Sequence, residues 1–221
     1  MPESKKLVVF DVDGTLTDSL KVYHKVVIDS LKLMGIAEVD TDFFNYKYHT
    51  DSYTLKFNYE NFFNREYTSD LLGEFEHTLI TELEKHPPTR EIKGAKECVE
   101  RLLDNNFAVA FATGSLPKPA ELKLNQCDIW YEKDLIATSK ISFAREPFVK
   151  QSIEMAKRYF KVDSFDKVYS VGDGIWDMQT AQRLDLDFIG IGQRNKDILI
   201  EMGCKTHFDD LTGLADLLKN I

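Results

Sequence analysis

"KLVVFDVDGTLTDS", Lys6 to Ser19, decides how the rest of the chain is read. Leu7 to Phe10 is a short apolar run of the kind that forms a buried strand. It ends abruptly in Asp11 and Asp13, two positions apart, followed by Gly14 and Thr15. Asp-Gly is also a turn signal. A calcium loop that begins Asp-x-Asp needs glycine at its sixth position and an acid at its twelfth. Leu16 and Val22 stand there, so that reading fails. Two carboxylates so close together call for a cation or a shared proton. Magnesium suits them, because it accepts one or two carboxylates and bridges to phosphate.

Outward from this stretch, "DSLKVYHKVVIDSLKLMG" predicts a helix that Gly35 can end. From about residue 39 to 86 the chain is rich in charges and aromatic rings, with helix-compatible patterns and no strand-like alternation. Pro87 and Pro88 then break it. Beyond them "GAKECVERLLDNN" predicts a helix and "FAVAFATGS" a strand. "EPFVKQSIEMAKRYF" predicts a helix entered at Pro147, and "KVYSVGDGIWD" a strand ending in acids. "MQTAQRL" reads as a helix, "DFIGIG" as a strand and "DDLTGLADLLKN" as a closing helix. Strands alternating with helices indicate an α/β domain, a parallel sheet covered on both faces. The expected division is an α/β core over 1–18 and 89–221, interrupted by a helical insert over 19–88.

Ligands of such sheets bind beyond the carboxyl ends of the strands. The most polar short motifs lie at three predicted ends: "DVDGT", "TGS" and "GDGIWD". The last offers Asp173 and Asp177, of which a helix cap explains only one. Thr113 and Gly114 offer a hydroxyl and accessible backbone N–H groups to an anion. Among the 221 residues the net charge is −9, which disfavours nucleic acid and anionic membrane as partners. An anion site on this chain must carry its own positive charge. Cys98, Cys127 and Cys204 are sparse and far apart, and no apolar run approaches a membrane span. A cytoplasmic protein is expected.

In this order and spacing the three motifs resemble the haloacid dehalogenase-like (HAD) hydrolase superfamily. "DVDGT" resembles its first motif, "ATGS" its second and "GDGIWD" its fourth. The insert resembles the helical cap of phosphoglycolate phosphatase-like members. The resemblance implies a Rossmann-like parallel sheet core with the cap inserted after the first strand. It implies a phosphatase in which Asp11 is the nucleophile and forms an aspartyl-phosphate. Asp13 would be the general acid, then the base. Mg2+ would be held by the Asp11 carboxylate, the Asp13 carbonyl and Asp173, with Asp177 in support. Thr113 and the Gly114 backbone would bind phosphate oxygens.

The family's third motif usually brings a Lys before the helix preceding the fourth. Here that region reads "KISFAREPFVKQ", in which Arg145 takes the expected place, with Lys150 and Lys140 as the other candidates. Asp13 argues for phosphoryl transfer, since the carbon–halogen-cleaving branch typically lacks it. The expected partner is a small phosphorylated metabolite. A β-phosphoglucomutase-like phosphomutase and a non-enzymatic binding protein on the same fold are the alternatives.

The aromatic segment includes Phe43, Phe44, Tyr46, Tyr48, Tyr53 and Phe57. Its basic and acidic residues nearly cancel, so rings filling a small core are expected rather than rings stacking on bases. His49, Thr50 and Asp51 are candidates to face the substrate, and Trp176 is expected to pack the fourth motif.

Overall fold

The computed structural model describes residues 5–42 and 45–221. Phe43 and Phe44 of the aromatic segment lie outside the described residues. Strand β1 (Lys6–Phe10) is central in a six-stranded sheet of order β3-β2-β1-β4-β5-β6. Its partners are β2 (Ala108–Thr113) and β4 (Lys167–Gly172), and beyond them lie β3 (Ile136–Thr138), β5 (Asp187–Ile191) and β6 (Thr206–Phe208). All described pairings are parallel. A buried parallel strand must be apolar on both faces. In β1, Val8 and Phe10 pack into one hydrophobic cluster with Val99, Phe111 and Leu214, while Leu7 and Val9 pack into another with Ala110 and Phe148.

Helices α1 (Leu20–Leu33), α2 (Asp51–Phe63) and α3 (Leu71–Leu83) follow β1. They share a third cluster built on Tyr23, Leu31, Leu55, Phe75 and Leu79. The chain leaves the sheet at Thr17–Asp18 and returns beside it, where Asp18 N–H donates to the Arg90 carbonyl and Thr17 bridges to Glu91. The remaining helices are α4 (Ala95–Asp104), α5 (Pro117–Gln126), α6 (Arg145–Phe160), α7 (Ile175–Arg183), α8 (Lys196–Glu201) and α9 (Leu214–Lys219).

The sequence missed four elements: α5, α8, β3 and β6. β3 and β6 are three-residue edge strands without enough length to show a period. α5 carries Pro117 and Pro119, and a proline inside a helix would break it. Both stand in its first turn, where a proline costs no intrahelical hydrogen bond. For the same reason α6 starts at Arg145, two residues before the Pro147 at which its entrance was expected.

Order 3-2-1-4-5-6 reverses direction between β1 and β4, which opens a crevice at their carboxyl ends. The register makes those ends level: Phe10 stands opposite Phe111 on one side and Val171 on the other. Asp11, Thr113 and Asp173 therefore leave three adjacent strands at nearly the same height.

Candidate active site

Asp11 is held at the crevice by its own N–H, which donates to the Val171 carbonyl at 2.9 Å. The chain turns immediately at Gly14, which has φ +86. A Cβ there would come 2.7 Å from Asp173 Oδ2, so the turn needs glycine for both conformation and space. Thr15 Oγ1 donates to Asp11 Oδ2 at 3.3 Å. Asp177, in the first turn of α7, accepts from Gly174 N–H at 2.9 Å through Oδ2. This is the cap expected of one of the two fourth-motif acids, and its Oδ1 remains available for the crevice.

Arg145 fills the gap. Its Nη1 lies 3.1 Å from Asp11 Oδ1 and 2.5 Å from Asp177 Oδ1, in a setting where all three side chains are nearly or fully buried. Lys150 and Lys140 are exposed. Asp11, Asp173 and Asp177 each offer an oxygen within 4.8 Å of the others. Asp173 Oδ1 is buried with no hydrogen-bond partner among the described residues. Hard oxygen donors, close spacing, burial and one unpartnered oxygen fit a hard divalent cation such as magnesium.

Without a cation, burial and mutual repulsion push these acids up. Asp11 and Asp173 rise to about 7, in each case first through burial and then through the neighbouring carboxylate, with Arg145 opposing at Asp11 and Arg194, then Arg145, opposing at Asp173. Asp177 rises to about 6, mainly through burial. Raised carboxylates mean that the folded protein holds protons the unfolded chain has already lost. The metal-free protein is therefore expected to lose stability as pH climbs from about 4 through about 7. Magnesium should relieve the repulsion, so the rise in Tm that it produces should be larger at pH of about 8 than at about 5.5. Thermal unfolding at both pH values checks this, and an equal rise at both would contradict it.

Asp13 behaves in the opposite way. Its carboxylate accepts from Ser19 Oγ at 2.5 Å, Ser115 Oγ at 2.7 Å and Lys123 Nζ at 2.6 and 2.7 Å. Burial acts to raise its pKa, but Lys123 and the hydroxyls outweigh that and hold it below the usual range. Lys123 was not found by the sequence reading. It lies on the buried face of α5 beside Pro119, Ala120 and Leu124, is 0% exposed, and sits 3.5 Å from the Tyr23 ring centroid. A lysine at a core position of an amphipathic helix was the available signal, hidden because α5 itself was not read. Removing one partner of a buried pair leaves the other uncompensated, at a cost of about 3–5 kcal/mol. Lys123→Met should lower unfolding stability by about that much, and adding Asp13→Asn should restore part of it. Urea melts of the two proteins test the pair; an unshifted midpoint for Lys123→Met would rule out a structural role.

The second motif lies over the same space. Thr113 is fully buried, and its Oγ1 accepts from Ser115 N–H at 3.1 Å. A Cβ on Gly114 would meet the His49 carbonyl at 2.7 Å and Arg145 at 3.2 Å, so only glycine lets the insert approach. Three contacts stitch the insert down here. Asp51 N–H donates to the Gly114 carbonyl at 2.8 Å, the Asp51 carboxylate accepts from Leu116 N–H at 2.8 Å, and Thr50 Oγ1 donates to the Phe143 carbonyl at 3.0 Å. Asp51 also accepts from Tyr23 OH at 2.5 Å, and burial raises its carboxyl to about 6. Of the three candidates in the insert, His49, Thr50 and Asp51 all line the cavity, yet Thr50 and Asp51 are engaged by the protein itself.

The resulting cavity measures about 380 Å³. Asp11, Asp13, Thr113, Gly114 and Arg145 form its floor. Trp176 does more than pack its motif: its ring stacks on His49 with centroids 4.3 Å apart, and it lines the cavity wall. Burial, then the charges of Arg145 and Arg194, push His49 down to about 4, so it is neutral near pH 7.

The fold has counterparts among known proteins. A hydrolase from Pseudomonas syringae superposes with a TM-score of 0.71 at 21% identity, covering 98% of this chain and 99% of that one. A protein from Bacteroides vulgatus assigned as a β-phosphoglucomutase gives 0.69 at 14%, covering 98% and 88%. One from Haemophilus somnus assigned as a phosphoglycolate phosphatase gives 0.64 at 18%, covering 99% and 100%. At these identities the likeness establishes the fold. No curated protein matches the sequence at a significant level. The family model for haloacid dehalogenase-like hydrolases matches residues 5–185, from β1 past the fourth motif. On that match, together with the six-stranded sheet and its strand-end acids, the chain belongs to the haloacid dehalogenase-like hydrolases.

Proposed function

We propose that the protein is a magnesium-dependent phosphatase that hydrolyses a small phosphomonoester through an aspartyl-phosphate on Asp11. The observation that carries this reading is the Arg145 guanidinium set between Asp11 and Asp177 on the cavity floor, with Asp173 beside them. An acidic chain supplies there the side-chain cation that a phosphoryl dianion requires.

In the first step an Asp11 carboxylate oxygen attacks phosphorus, the bond to the leaving oxygen breaks, and that oxygen takes up a proton. In the second, water attacks the same phosphorus, the Asp11 carboxylate leaves, and inorganic phosphate departs. Asp13 is the proton carrier in both, first as acid and then as base. In the free protein four contacts from Lys123 and two serines hold it ionised. The proton that Asp13 gives to the leaving oxygen therefore comes in with the substrate: a phosphate monoester, with a second pKa of about 6, enters partly as the monoanion, passes that proton to Asp13 and reacts as the dianion. Thr113 and the Gly114 backbone would bind phosphate oxygens, and the Arg145 fork would hold them in line with Asp11; all of them line the cavity. Magnesium, held by Asp11, Asp173 and the Asp13 carbonyl with Asp177 in support, would offset charge on the transferring group.

The expected partner is a phosphorylated metabolite, in keeping with a cavity of small-molecule size lined by Arg145 and Arg194. Among the described residues no helix is long and apolar enough to cross a membrane. A panel of phosphomonoesters assayed with magnesium and with excess chelator tests the reading. Phosphate release that stops on chelation and returns with magnesium is expected; full activity in chelator would contradict it. Calcium should bind but support turnover poorly. A phosphomutase would show itself in the same assay by a long-lived phospho-enzyme with slow phosphate release.

A further inference from the structure

Arg194 has no place in the steps above. It stands in the loop after β5, two strands from β1. At the usual strand spacing that is roughly 9–10 Å from the strand carrying Asp11. The loop is anchored where Asn195 Nδ2 donates to the Asp173 carbonyl at 2.9 Å. Among the described residues the cavity is lined by two guanidinium groups. Arg145 is 11% exposed and committed to Asp11 and Asp177. Arg194 is 43% exposed, and its one ion pair among the described residues is a contact from Nη2 to Asp173 Oδ2 at 3.2 Å. Its guanidinium carbon also lies 6.0 Å from the Trp176 ring centroid.

Only the Arg194 end of this pair meets solvent, since Asp173 is 5% exposed. Asp173 is, moreover, one of the acids suited to a divalent cation, so Arg194 is not needed to neutralise it once that cation binds. The charge of Arg194 is felt across the cavity, where it helps to keep His24 and His49 from protonating. Leu20, Ile175, Trp176 and Ile198 give the cavity apolar lining, and the guanidinium carbon of Arg145 also lies 5.9 Å from the Trp176 ring centroid. Two cations beside one apolar ring match a short carbon skeleton charged at both ends.

We propose that Arg194 is a specificity-determining residue which selects phosphomonoesters bearing a second anionic group, a carboxylate or a second phosphate, separated from the reacting phosphoryl by a short carbon chain. This rests on the phosphatase reading for the identity of the reacting group. The guanidinium fork pairs with either anion in two-point fashion.

Three phosphomonoesters of equal chain length separate the possibilities: propyl phosphate, the phosphate ester of 3-hydroxypropanoate, and propane-1,3-diol bisphosphate. Binding is measured calorimetrically at saturating magnesium on the Asp11→Asn protein, which cannot turn them over, and turnover is measured on the protein with Asp11 intact. One or both doubly charged compounds should bind at least about tenfold more tightly than propyl phosphate. The stronger of the two identifies the second group. Arg194→Gln should abolish that advantage while changing propyl phosphate binding by less than about threefold, and Arg194→Lys should keep part of it. Equal binding of all three compounds, no binding of any, or an equal loss on all three in Arg194→Gln would overturn the proposal. Preferential binding without turnover would instead count against the phosphatase reading alone.

Discussion

Asp11→Asn is expected to reduce turnover by about 10⁴-fold or more while leaving the fold intact. Removing a group that forms the covalent intermediate typically costs a factor of this size or larger. An amide does not attack phosphorus, yet it is nearly isosteric: its oxygen can still accept from Arg145, and its NH2 can donate to the Thr15 hydroxyl. The substitution also removes one of three crowded carboxylates, whose repulsion and burial raise Asp11 to about 7. The variant should therefore unfold no earlier than the parent above about pH 7, and in the absence of metal somewhat later. Intact-mass analysis of protein quenched during turnover should show one added phosphoryl group on the parent and none on the variant. A variant that turns over near the parental rate would end the covalent mechanism.

Arg145→Ala should cost at least a hundredfold in kcat/KM, in keeping with the ~3–4 kcal/mol lost when one preorganised electrostatic donor is removed. The geometry gives a second reason. Arg145 lies between Asp11 and Asp177, and both would face each other uncompensated without it. Arg145→Lys should recover part of the rate, because an ammonium keeps the charge but lacks the two-point fork. Lys150→Ala should change little, since Lys150 is exposed. Turnover of the three variants on one working substrate decides the matter. A dead Lys150→Ala beside a healthy Arg145→Ala would move the cation elsewhere.

Much of this site could be read from residues alone, for identifiable reasons. β1, β2 and β4 are apolar on both faces and end in polar groups, a contrast that survives without knowledge of the fold. Because Phe10 is level with Phe111 and Val171, motifs far apart in sequence meet. Arg145 was placed only through the likeness to the family's third motif, and the structure brings it to the strand-end acids.

What escaped did so through missing local signal. Lys123 belongs to the site through a buried helix face whose prolines disguised the helix. Arg194 follows β5 in a loop with no motif of its own. The stitching of Asp51 to Gly114 and Leu116 is made largely through backbone groups, which side-chain patterns do not report.

The central place of β1 has a consequence for how the protein is made. Leu7 pairs with Ala108 and Lys6 with Lys167, so β1 leaves the ribosome roughly 100 and 160 residues ahead of its neighbours. At about 5–20 residues per second, Leu7 to Phe10 wait roughly 5–20 s for β2 and 8–30 s for β4. During that interval a fully apolar segment has no sheet to enter. The next residues to emerge, by contrast, are α1 to α3, most of whose apolar cluster is their own and takes from the later chain only Leu116, just before α5, and Leu122 within it. The nascent chain thus presents a nearly self-sufficient helical unit tethered to an unpaired strand, and that strand is where a chaperone would be expected to bind during synthesis.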